Sequence, residues 1–164
     1  MTDYKLIKEQ ISGFAETDPW YLPLLSNAAA VLYHSLPDIN WAGFYLIHEG
    51  RLVLGPFQGN PACIHISIGK GVCGTAVQEK RILRVEDVHQ FPGHIACDSA
   101  SRSEIVLPLE KDGEIFGVLD IDSPVLNRFS EEDEIGLKGI AELIQKMIRF
   151  RDPEILGRVR QETI

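Results

Sequence analysis

Apolar residues recur at helical spacing in "TDPWYLPLLSNAAAVLYHSLPDIN", where Leu25, Ala28, Ala29 and Leu32 would share one face. Asp18 is placed to cap this helix and Pro19 suits its first position. Pro23 falls early enough to be tolerated, and Pro37 marks the end. The hydrophobic period then changes. "WAGFYLIHEGRLVLGPF" holds two apolar runs joined around Glu49-Gly50 and predicts a β-hairpin. "CIHISI" and "RILRV" predict short strands, with a short helix over "GVCGTAVQEK" between them. "SEIVLPLEKDGEIFGVLDIDS" predicts a second hairpin turning at Asp112-Gly113. "SEEDEIGLKGIAELIQKMIRF" closes the pattern as an amphipathic helix. Ser130 and Asp133 stand at capping-box spacing, and Ile140, Leu143, Ile144 and Met147 supply its apolar stripe.

Helix, strands, short helix, strands, helix is the order of an α+β domain with helices laid on an antiparallel sheet. At 164 residues the chain is expected to form one domain over 1–150, followed by a charged tail over 151–164 that begins at a helix breaker. One connection stands out. "HQFPGHIACDSASRSEI" links "RILRV" to "EIVLPL" through more than a dozen residues, long for a compact domain unless the loop binds something.

Charge and composition narrow the function. A formal charge of −8 argues against nucleic acid as a partner. No apolar run reaches the roughly 20 residues of a membrane span. The start "MTDYKLIKEQ" lacks a secretory pattern, so a cytoplasmic location is expected. In that reducing setting Cys63, Cys73 and Cys97 are expected to be structural, metal-binding or redox-active rather than stably paired. His65 and His94 are close to Cys63 and Cys97 in sequence. The spacings lack the tight pair of a zinc site, and no metal is expected.

Cys97 sits on the long loop. His94 and Arg102 would lower its pKa and adjacent Asp98 would oppose them, so local chemistry leaves an inert thiol and a reactive one both open. Cys73 opens the glycine-rich helix, where either a stabilised thiolate or simple close packing fits. A phosphate loop does not, because Lys70 precedes the turn it would have to end.

Asp120 and Asp122 alternate on one strand and share a face with Val118, while Leu119 and Ile121 take the other. Two carboxylates on so apolar a strand meet water at its end or serve a site. A two-residue turn at Asp112-Gly113 would set Glu104 opposite Ile121, on the wrong face. A three-residue turn with Gly113 as a bulge would set it opposite Asp120. Trp41 and Tyr45 share another strand face across Gly43, either as sheet core or as walls for a small sulfur-bearing group.

Taken in order, "DINWAGFYL", "LVLGPFQG", "GKGVCGTAV", "EDVHQFPGHIACDSAS", "SEIVLPL" and "GVLDIDSP" resemble the free methionine-(R)-sulfoxide reductases, stand-alone GAF domains, over about residues 18 to 150. The resemblance implies a six-stranded antiparallel sheet flanked by helices, paired as a homodimer. It implies free methionine (R)-sulfoxide as substrate. It implies Cys97 as nucleophile, Cys63 as resolving thiol and Cys73 as an alternative or auxiliary one. Trp41 and Tyr45 would hold the methyl end, while Glu104, Asp120 and Asp122 would bind the polar end and assist oxygen protonation. A thioredoxin-like dithiol would restore the thiols, with no cofactor. The rival readings are a GAF module that binds a small ligand and signals, and a thiol redox sensor without turnover.

Overall fold

The computed structural model describes residues 1–95 and 97–150. The expected tail over 151–164 lies outside the described residues. Six strands form one antiparallel sheet: β1 (Trp41–His48), β2 (Arg51–Gly59), β3 (His65–Ser67), β4 (Leu83–Val85), β5 (Ser103–Lys111) and β6 (Glu114–Ser123). Their order across the sheet is β3-β2-β1-β6-β5-β4. Among the described residues there are four α-helices, α1 (Tyr4–Thr17), α2 (Tyr21–Ser35), α3 (Gly71–Glu79) and α4 (Glu131–Met147), and a short 3-10 turn over Val88–Gln90. No helix among the described residues is long and apolar enough to cross a membrane.

Strand alternation sends two apolar sets to opposite faces. Phe44, Ile105, Leu107, Leu109, Leu119 and Ile121 meet Leu25, Ala29 and Leu32 of α2, Ile7 and Ile11 of α1, and Ile140 and Ile144 of α4. Trp41, Tyr45, Leu52, Val106 and Val118 face the other way, against Val72, Cys73, Ala76 and Val77 of α3.

α1 was not among the predicted elements, although Ile7, Ile11 and Ala15 repeat every four residues and are all buried. The Asp3 carboxylate caps this helix by accepting from the Leu6 N–H at 3.0 Å. The second helix starts later than expected. Trp20 is its N-cap, and Asp18 instead accepts from the Trp20 N–H at 3.0 Å in the turn before it. The final helix has the expected capping box between Ser130 and Asp133.

Both hairpins turn where expected, on Glu49-Gly50 and Asp112-Gly113, with all four residues at positive φ. The register beyond the second turn differs from both alternatives drawn from sequence. Lys111 pairs with Glu114 and Glu110 with Ile115 across a two-residue turn, but Leu109 pairs with Gly117, leaving Phe116 as an extra residue. This bulge carries the rest of the hairpin one position over, so Glu104 stands opposite Asp122 and Ile105 opposite Ile121. Glu104 therefore joins the face of Asp120 and Asp122 without a three-residue turn.

Candidate active site

The pairings of β1 with β6 and of β6 with β5 build the site as rows across the sheet. Trp41 lies opposite Asp122, and Asp122 opposite Glu104. In the next row Gly43 lies opposite Asp120, and Asp120 opposite Val106. The aromatic pair and the three acids thus share one surface, and α3 roofs part of it with Cys73.

Gly43 separates the two rings, but the space above it is filled. A Cβ there would overlap Phe57 Cβ and come 2.8 Å from Trp41 Cη2. The Trp41 ring folds across the glycine and stacks on Phe57 at 5.2 Å and on Tyr45 at 5.9 Å between centroids. Phe57 is thus a third aromatic that sequence reasoning missed. Its partial burial at the strand end gave no signal beyond an ordinary apolar position.

Cys63 and Cys97 are joined by a disulfide with Cα atoms 5.3 Å apart, within the usual span of such a bond. The bond joins the two thiols that the resemblance implies as nucleophile and resolving partner. Cys73 stays free and buried, with its Sγ 3.8 Å from Glu104 Oε1. Burial, followed by the charges of Asp120 and Glu104, pushes its thiol pKa up. The helix N-terminus does not make Cys73 a thiolate. Close packing explains Gly74, where a Cβ would collide with the Ser67 carbonyl, while Gly69 and Gly71 take positive φ.

The acids are pushed the same way. Burial and then Asp120 and Asp122 raise Glu104, while burial raises Asp120 to about 6. Burial, Asp120 and Asp98 raise Asp122. One atom of each of Cys73, Glu104 and Asp120 falls within 4.8 Å of the others, a compact donor set. Asp120 Oδ1 is buried without a hydrogen-bond partner. A carboxyl that keeps its proton near neutrality can donate it, and a buried carboxylate oxygen without a partner can accept from a cation.

The disulfide closes this surface over a cavity of about 40 Å³, bounded by Trp41, Tyr45, Cys97, Glu104, Asp120 and Asp122 among others. That is room for a few waters. Tyr45 also holds the segment on the disulfide's other side: its hydroxyl donates to the Cys63 carbonyl at 2.9 Å. Burial, and next Asp120, raise the Tyr45 pKa, which keeps that hydroxyl protonated. His94 lines the cavity as well, but burial and His89 lower its pKa. It is not the cation beside Cys97 that the sequence suggested, and Arg102 is exposed. His65 is exposed on β3, apart from this donor set.

A GAF domain model matches residues 22–148. The chain is 56% identical to the free methionine-R-sulfoxide reductase of Escherichia coli over 132 residues, 80% of each protein. The chain belongs to the free methionine-R-sulfoxide reductase family of GAF domain proteins. Its Saccharomyces cerevisiae relative is 47% identical over 135 residues, covering 77% of this chain and 75% of that one. The solved structure of the Staphylococcus aureus reductase in complex with substrate superposes with a TM-score of 0.86 at 52% identity, over 91% of this chain and 97% of that one.

In this member of the reductase family, Asp98 does not simply oppose the neighbouring thiol. Its Oδ2 accepts from Asn40 Nδ2 at 3.1 Å and from Asn60 Nδ2 at 3.5 Å, and its Oδ1 accepts from the Ala100 N–H at 2.9 Å. Both oxygens are thereby engaged by amide donors. Asn40, Asn60 and Ser101 were not among the predicted site residues. Asn40 and Asn60 flank predicted strands, but nothing local marks them as partners of a loop 58 and 38 residues away.

Proposed function

We propose that this chain reduces free L-methionine (R)-S-oxide to L-methionine with its own thiols. The disulfide between Cys63 and Cys97, closing a cavity walled by Trp41, Tyr45 and three acids whose pKa values burial raises, carries this reading. Cys97 is the nucleophile. Its thiolate attacks the sulfoxide sulfur while a neutral carboxyl of the Glu104, Asp120 and Asp122 group protonates the departing oxygen. The protonated oxygen passes as hydroxyl from the substrate sulfur to the Cys97 sulfur while the transient sulfur–sulfur bond breaks, so methionine leaves with its thioether restored and Cys97 becomes a sulfenic acid. The Cys63 thiolate then attacks the Cys97 sulfur, water departs, and the disulfide forms. A thioredoxin-like dithiol reduces it by exchange.

The rings of Trp41 and Tyr45 suit the methyl and sulfur end. The acids suit the ammonium of a free amino acid, and Asp120 Oδ1 has no other hydrogen-bond partner. Cys73, buried and neutral, is auxiliary to this cycle. A single domain over 1–150, a homodimer and a cytoplasmic setting belong to the same proposal, and light scattering tests the dimer against the 18.3 kDa chain mass.

Separated sulfoxide diastereomers assayed with a thioredoxin system test the function. The free R epimer is expected to yield methionine, and failure of both epimers would sink the enzyme reading. Cys97→Ser is expected to abolish methionine release in a single turnover. Cys63→Ser is expected to release one equivalent and then stall with thioredoxin.

A further inference from the structure

Three polar side chains that the chemistry above does not use meet at the mouth of the site. Asn40 ends the connection from α2 into β1, and its Nδ2 donates both to Asp98 Oδ2 and to Ser101 Oγ, each at 3.1 Å. Asn60 follows β2, and its Nδ2 lies 3.5 Å from the same Asp98 oxygen. The Asn60 carbonyl in turn accepts from Trp41 Nε1 at 3.2 Å. Asp98 directly follows Cys97, and Asn60 stands three residues before Cys63.

The loops carrying the two sulfurs are therefore joined twice, once by the disulfide and once by a charged hydrogen-bond node centred on Asp98. We propose that Asp98 with Asn40 and Asn60 forms a latch that positions Cys97 against Cys63, favouring the disulfide-forming step. The inference rests on the proposed role of these two cysteines as a redox pair.

The reason is geometric. Cys97 belongs to a connection of more than a dozen residues, and a thiol on such a segment samples a large volume unless the segment is fixed. Asp98 accepts on Oδ2 from the side-chain amides of two strand-end residues and on Oδ1 from Ala100 of its own loop. Hydrogen bonds to a carboxylate are stronger than neutral ones, so beside the disulfide this node is a firm noncovalent tether for residues 97–101. Asn40 is itself fixed, because its backbone N–H donates to the Asp122 carbonyl at 2.9 Å. The latch thus refers the nucleophile's loop to the strand that carries the acids.

The test exploits the single carboxylate. Asn40→Asp sets two carboxylates against each other, Asp98→Ala removes the node, and the exchange Asn40→Asp with Asp98→Asn restores an amide facing a carboxylate. Each purified full-length protein is equilibrated with reduced and oxidised glutathione, and the fraction of Cys63–Cys97 disulfide is measured by thiol alkylation. Both single variants are expected to lower the equilibrium constant for disulfide formation about tenfold, and the exchange to recover it to within about threefold.

A second readout follows the reaction. Dimedone-labelled Cys97 per methionine released is expected to rise in the single variants and fall back in the exchange. Single variants with the parent's constant would overturn the latch, as would an exchange no better than the worse single variant. The glutathione equilibrium needs no substrate. A protein that fails to release methionine, yet shows these shifts, loses the reductase reading and keeps the latch.

Discussion

Two acidic centres sit at opposite ends of the molecule's chemistry. Asp133, in the first turn of α4, accepts from the Tyr4 hydroxyl at 2.6 Å, the Ser130 N–H at 2.9 Å and Arg128 Nη1 at 2.9 Å. Burial pushes its pKa up, but the Ser130 backbone, Tyr4 and Arg128 outweigh that and hold it below the ordinary range. Glu104, Asp120 and Asp122 have no ion pair among the described residues and are all pushed upward. The first centre spends its charge on holding α1, α4 and the preceding turn together. The second has no such partner cation among the described residues, which costs stability and leaves carboxyl groups able to give up a proton or accept from a cation.

Removing one acid from each centre should separate the two roles. Glu104→Gln is expected to lower kcat/KM for the free R epimer by roughly 10²–10³, with a melting temperature equal to or above the parent's. A large drop in stability there would erase the contrast. Asp133→Ala is expected to cost about 2 kcal/mol in urea unfolding, because it leaves Tyr4, Arg128 and the start of α4 without their acceptor. Its kcat/KM per folded molecule should match the parent's, and a loss there would mean the centres are coupled.

A further contrast is in the pH profile. The site acids keep their protons in the folded state after the unfolded chain has lost them, so their contribution makes stability fall as pH rises. For Asp120 the window runs from its ordinary 3.8 to about 6, and for Glu104 and Asp122 it starts at their ordinary values and extends upward. Asp133 acts oppositely: its contribution is present above the ordinary carboxylate pKa and is lost as pH falls through its lowered one. Urea unfolding from pH 4 to 8 should give a downward slope of at most about 1.4 kcal/mol per unit for each retained proton. Asp120→Asn should flatten it, and an unchanged slope would contradict the raised acids.

Much of this is legible in the sequence. Alternation put Val118, Asp120 and Asp122 on one face, the turn residues marked both hairpins, and the Ser130–Asp133 spacing marked α4. α1 was missed because its apolar stripe is thin and its outer positions, including Leu6 and Phe14, are also apolar and exposed. The position of Glu104 could not be read, because both faces of β5 are apolar and neither rejects a shifted register. The Asp98 node could not be read either, since its partners belong to segments that only the folded sheet brings near.

The bulge at Phe116 has a consequence for how this site can be lost. If the turn register at Asp112-Gly113 simply continued, Asp120 would stand opposite Ile105, whose side chain is fully buried under the helices. The pleat behaves here like a reading frame, and Phe116 is the inserted letter that sets it. A scan of point substitutions would pass over that position as an ordinary half-buried aromatic. Deleting it would change no functional residue and yet turn an acid of the site toward the hydrocarbon core, so the hairpin should tolerate substitutions far better than a change of length.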